Sequence, residues 1–205
     1  MTTPAQNKHT TADVSAAAAD ILGAKKLGAA RALPGRYIVR LDRNGLADST
    51  RETGKVLYRV EGTVLQVLEN EDSHNKGLKM GTHAVGEQIS TVFKFAPDKN
   101  GYGRSEIQAF IKLVFGVTDE RFAEMNKEVT DAMSLDKSTL SPSAVELVAY
   151  LLYDMKAATP NTIMRGGERK EPFVKVKFVR VVGAEELRKI TGIEKFYTEE
   201  QLQAL

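Results

Sequence analysis

The chain has 205 residues, of which 42% are hydrophobic and 27% charged, with a formal net charge of +2. That balance fits a folded globule and excludes disordered and collagen-like classes. There is no cysteine, which removes disulfides, thiolate metal sites and cysteine nucleophiles, and His9, His74 and His83 lack metal-ligand spacing.

Residues 1–32 read as a flexible tail with a short alanine-rich helix, weakened by Gly23 and Gly28. Asp13 and Asp20 interrupt that stretch, so it does not read as a signal peptide. No apolar run reaches the roughly 18 residues of a membrane helix. The expected place is the cytoplasm.

Residues 33–182 are expected to form the domain. In "LPGRYIVRLDRNG", Tyr37, Val39 and Leu41 alternate with Arg36, Ile38, Arg40 and Asp42, and Asn44-Gly45 reads as the strand's end. "KVLYRVEGTVLQVLEN" is a long strand with Val56, Tyr58, Val60 and Val64 on one face. Its alternation slips near Leu65–Val67, just after Gly62, which predicts a bulge or sharp bend. "EQISTVFKF" is a third strand. A helix follows, with Ser105 as its cap, Ile107, Phe110, Ile111 and Val114 as its apolar stripe, and Gly116 as its stop. Thr118, Asp119 and Glu120 open an acidic amphipathic helix that turns Phe122, Met125 and Val129 inward. The whole helical insert spans 105–141.

"SPSAVELVAYLLYDMKA" and "PFVKVKFVRV" flank the loop "ATPNTIMRGGERKE" and read as a β-hairpin. In the second, Val174, Val176 and Phe178 are assigned to the core, and Phe173, Lys175, Lys177 and Val179 to the other face. Residues 183–205 read as a helical tail. Three strands, a helical insert and two strands make a mainly β chain with a helical insert (α+β). The layout is that of a five-stranded OB-fold barrel, with a helix and an acidic helical insert between strands 3 and 4.

Enzyme signals are poor. "GYGRSE" lacks the third glycine and the βαβ setting of a dinucleotide site, and there is no P-loop or H-E-x-x-H. The chain is expected to be neither enzyme nor cofactor carrier, with no metal and no small-molecule substrate. Charge is unevenly spread. Bases cluster at 31–60 and 165–180, while Asp119, Glu120, Glu124, Glu128, Asp131 and Asp136 make the middle acidic. A single-strand groove needs cations along the phosphate path and rings for bases to stack on. The candidates are Arg51, Lys55, Arg59, Lys94 and Arg104, then Arg165, Arg169, Lys170, Lys175 and Lys177, with Tyr102 and Phe173 as rings. Phe93 alternates with Ile89, Thr91 and Phe95 and reads as core. Lys175 and Lys177 also fit solvated edge lysines that block aggregation.

Four stretches carry a resemblance. "LPGRYIVRLD" is similar to the opening strand, "THAVGEQISTVFKF" to the third, "SEIQAFIKLVFGV" to the helix and "FVKVKFVRV" to the closing strand of phage-encoded OB-fold single-stranded DNA-binding proteins of replication modules. The resemblance covers about residues 33–182. It implies coating of single-stranded DNA during phage replication in the host cytoplasm, without strong sequence preference. It also implies recruitment of replication, recombination or RNA polymerase proteins. The alternative is a non-enzymatic protein–protein adaptor that uses the acidic insert and the C-terminal helices.

Overall fold

The computed structural model describes residues 30–48, 56–69, 81–95, 102–134, 139–154, 159–160, 162–165 and 169–205. The elements in chain order begin with β1 (Ala30–Arg31), β2 (Gly35–Asp48), β3 (Val56–Glu69) and β4 (Gln88–Lys94). The helical insert holds α1 (Tyr102–Phe115), α2 (Asp119–Glu124) and α3 (Asn126–Ala132). Then come β5 (Ala144–Leu151), β6 (Tyr153–Asp154), β7 (Thr159–Pro160), β8 (Thr162–Arg165), β9 (Arg169–Pro172) and β10 (Val174–Val182). The chain closes with α4 (Ala184–Leu187), a 3-10 turn (Ile193–Lys195) and α5 (Glu199–Gln203).

Six strands form one mixed sheet in the order β1-β4-β3-β2-β5-β10, antiparallel throughout except for β1 with β4. β4 and β10 stand near opposite ends of that order. Even so, Phe93 on β4 and Phe178 on β10 lie 6.1 Å apart, so the sheet wraps around its core. No ladder joins β4 to β10 among the described residues, and the sheet is open. Against the expected five-stranded OB-fold barrel, the described residues form a mainly β, six-stranded open sheet with a helical insert. The sixth strand, β1, falls where a helix was expected. Pro34 steers Leu33 to extended backbone, and the edge of β4 offers ladder partners at Ile89 and Ser90. His83 fixes the segment further: its Nε2 lies 3.0 Å from Leu33 N and 3.2 Å from the Arg31 carbonyl oxygen, and its Nδ1 is hydrogen-bonded to Glu87 (2.9 Å). That hydrogen bond holds the Glu87 carboxyl below its ordinary range, with the Ala84 amide adding to the effect. Arg31 Nη2 reaches across to the Val174 carbonyl (3.3 Å), and α1 packs on both β4 and β10.

The curl comes from β2 and β3. Their register slips three times, at Leu68, Leu65 and Asp42, each residue being skipped by its partner strand. Gly62 sits among these slips. A Cβ there would fall 2.4 Å from the Arg40 carbonyl oxygen and 2.5 Å from Val39 Cγ1, so only glycine permits the approach. The inner face buries Tyr37, Val39 and Leu41 against Tyr58, Val60 and Val64. Each such side chain contributes about 1.5–3 kcal/mol.

Ile38 and Leu65 break the alternation because part of the outer face is also covered. The 183–205 segment lays Leu187, Ile190, Ile193, Tyr197 and Leu202 on them. Asn44-Gly45 does not end β2, which runs to Asp48. Asn44 is wholly buried, and its amide donates to Tyr58 Oη (3.1 Å) and the Ala132 carbonyl (2.7 Å). Those bonds satisfy the polar side chain that elsewhere favours a turn.

The insert differs in detail from its sequence pattern. α1 starts at Tyr102, so Ser105 is inside the helix and is not its cap. Arg104 Nε donates to the Phe95 carbonyl (3.3 Å), anchoring the first turn earlier. The acidic segment is two short helices broken at buried Met125, with Thr118 capping the first. Tyr153–Asp154, inside the expected strand, instead pairs with Thr159–Pro160, and β8 pairs with β9 where a plain loop was expected.

Candidate nucleic-acid interface

Because Tyr58 and Val60 face the core, strand alternation turns Leu57, Arg59 and Glu61 outward. Across β4 their partners are Lys94, Val92 and Ser90, and across β2 they are Ala47, Gly45 and Arg43. This outward face therefore carries three cations, Arg43, Arg59 and Lys94, over a low floor of Gly45 and Ala47. Val92 is 53% exposed, a bare apolar surface beside them. Arg59 pairs with Glu61 at 2.5 Å and keeps a third of its side chain exposed. Lys94 is exposed and has no ion pair among the described residues. Arg43 was counted in the basic cluster but not singled out. Its outward placement depends on the bulge at Asp42, which spacing alone does not reveal.

The remaining candidates are spread over the fold. Arg51 and Lys55 lie outside the described residues, in the connection from Asp48 to Val56. Arg165 and Arg169 are register partners in the β8–β9 ladder, as are Met164 and Lys170. That ribbon leaves the sheet beside Leu151 and Val174, at the Gly35 end of β2. Tyr102 begins α1. Arg104 is exposed, with its guanidinium 5.2 Å from the centre of the Phe95 ring. Phe93 is core, as its alternation indicated.

Just before β10, Phe173 is half-buried with the Arg31 guanidinium 5.6 Å from its ring centre. Lys175 pairs with Glu106 of α1 at 3.2 Å, and Lys177 is exposed. Val176 and Phe178 are partly buried and pack on the core. The face assignment ends at Val179, where a bulge sets Arg180 opposite Glu146. Glu146 is 1% exposed and binds Arg36 Nη2 at 2.6 Å and Arg180 Nε at 2.7 Å. Arg36 also holds Glu69, and Arg180 also holds Glu186, at 3.0 and 2.6 Å. The two arginines of this face are therefore neutralised by three carboxylates. Arg180 lowers the Glu186 carboxyl below its usual range, and Glu186 in turn raises Arg180.

The insert is tied to the sheet by a buried knot. Tyr58 Oη donates to the Ala132 carbonyl (3.0 Å) beside Asn44, and burial pushes the phenol up to about 12. α1 and the α2–α3 pair leave an apolar groove next to Phe95. Among the described residues, no cluster of three His, Cys, Asp or Glu could hold a metal, and no helix is long and apolar enough to cross a membrane. No family model, curated protein or solved structure matches the chain.

Proposed function

We propose that the chain binds single-stranded DNA on the outward face of β2, β3 and β4, without strong sequence preference. The observation that carries this reading is the triangle of Arg43, Arg59 and Lys94 around a floor of Gly45, Ala47 and exposed Val92. Cations on neighbouring strands neutralise a phosphate path, and the exposed apolar surface of Val92 offers a base a place to lie. The reading includes an OB-fold. In support, β4-β3-β2-β5-β10 keeps the neighbour order of such a barrel, with α1 between its third and fourth strands and β1 and α1 bridging its open edge. The phage setting and the recruitment of replication or transcription proteins rest on the resemblance alone.

The adaptor reading loses one of its two surfaces, because the C-terminal helices lay their apolar side chains on their own sheet. Titration with fluorescent oligo-dT, beside a duplex of equal length, tests the proposal. Tighter binding to the single strand, weakening with salt, is expected. Equal affinity for the duplex, or no binding to either, refutes it.

A further inference from the structure

We propose that the groove between α1 and the α2–α3 pair receives one unstacked nucleobase of the bound strand, an inference that rests on the single-strand reading above. Its floor is Phe95, Ile107, Ile111, Phe122, Val129 and Met133, and its volume is about 270 Å³. That is just under the ~300 Å³ at which pockets for drug-sized ligands begin. It suits one ring system rather than a stacked run. Two of the floor residues are phenylalanines, on whose rings a base stacks irrespective of its identity.

The rim selects a nucleotide over other apolar occupants. It is formed by Arg104, Ser105 and Gln108 of α1. The Gln108 amide both donates and accepts, as a base edge requires. Arg104 is held at the mouth by its bond to the Phe95 carbonyl and its place over the Phe95 ring. Only one of its five N–H groups is occupied by that bond, and among the described residues the others remain for phosphate or base. Among the described residues, no carboxylate lines the groove. At 100° per residue, Glu128 and Asp131 stand about 120° and 180° around α3 from the Val129–Met133 line. Glu124 is engaged by Arg121 at 2.8 Å. The acidic surface of the insert therefore turns away from the mouth, and a cationic mouth matches an anionic strand rather than a basic peptide.

Phe95 directly follows Lys94, but strand alternation sets the two side chains on opposite faces of β4, so a strand crossing Arg59 and Lys94 rounds the end of β4 to reach the groove.

The test is Gln108→Trp, which places an indole at an exposed helix position, fills the groove and alters no charge. Two probes of about 15 nucleotides are compared, within the site sizes of single-strand binders: labelled oligo-dT and an abasic sugar–phosphate chain. Expected is roughly tenfold weaker oligo-dT binding, from the loss of one stacked base, with unchanged salt slope and unchanged affinity for the abasic chain. The unaltered protein gives an independent reading: one 2-aminopurine position in the strand should be shielded from a soluble quencher. Oligo-dT binding that is unaffected by Gln108→Trp, with no shielded position, overturns the proposal and leaves the groove to a protein partner. Equal weakening on both probes overturns it too, since the effect then does not pass through a base. Failure of the unaltered protein to bind either probe removes the single-strand reading itself.

Discussion

Lys94→Ala is the most informative single change on the proposed face. Lys94 is exposed and carries no ion pair among the described residues, so its removal leaves no orphaned carboxylate. The fold should keep its stability to within ~0.5 kcal/mol. Three cations at about −0.7 per contact give a slope of log K against log salt near −2. Raising salt from 50 to 200 mM should then cost the unaltered protein ~20-fold in oligo-dT affinity and Lys94→Ala only ~7-fold. Arg59 behaves differently, because its partner is Glu61 at 2.5 Å. Arg59→Ala exposes that carboxylate to the incoming phosphates and should weaken binding more than Lys94→Ala. Removing Glu61 as well should recover part of the loss. Fluorescence anisotropy over a salt series measures all four proteins. If Lys94→Ala keeps the full slope, Lys94 touches no phosphate and the outward face of β3–β4 is the wrong surface.

Asn44→Ala strips hydrogen bonds from Tyr58 and the Ala132 carbonyl inside the core. It should cost about 2–4 kcal/mol in chemical denaturation, and a loss under ~0.5 kcal/mol would mean the knot is dispensable. Phe178→Ala removes a ring 4.4 Å from Phe110, but that ring is only partly buried. About 2–4 kcal/mol is expected, below the full cavity cost of a closed core site, with oligo-dT affinity unchanged at temperatures where the fold persists. Burial raises the Tyr58 phenol from 10 to about 12, so its contribution is complete below pH 10 and is lost as pH rises through 12. Tyr58→Phe should flatten the fall in stability between those values by about 2–3 kcal/mol. An unchanged alkaline limb would show that the phenol ionises freely in the folded chain.

Much of the sheet was legible because one face of each strand is buried and the other is wet. Tyr37, Val39 and Leu41 alternate in the chain as they do in space. The bend announced by Gly62 and the slip near Leu65 is present, since a twisted strand pair needs bulges to curl and leaves an irregular pattern where they fall. Ala30–Arg31 was illegible because two residues carry no period, and their strand exists only through the free edge of β4. Asn44 misled for a tertiary reason: its turn propensity is overridden by Tyr58 and Ala132, which come from distant segments. Ile38 and Leu65 look like errors of alternation until the C-terminal helices arrive to cover them.

The proposed binding face was harder to read, because charge density and available charge are different quantities. The stretch around Arg180 looks as basic as the one around Arg59. Yet Arg36 and Arg180 are held by Glu69, Glu146 and Glu186, none of them close to both arginines in sequence. Lys175 is likewise taken by Glu106 from another element. A phosphate approaching those arginines must displace a carboxylate that already satisfies them, and it gains little. At Lys94 no such exchange is needed among the described residues, and at Arg59 it involves one partly buried pair. The near-zero net charge thus hides a partition: the arginines around Glu146 are neutralised by carboxylates, while Lys94 carries no ion pair among the described residues. Glu146→Gln separates these two groups. It releases Arg36 and Arg180 in part and raises the net charge, so nonspecific electrostatic attraction alone predicts tighter oligo-dT binding with a steeper salt slope. A strand confined to Arg43, Arg59 and Lys94 predicts no change in slope, and an increase near 0.7 would move the binding path to β10.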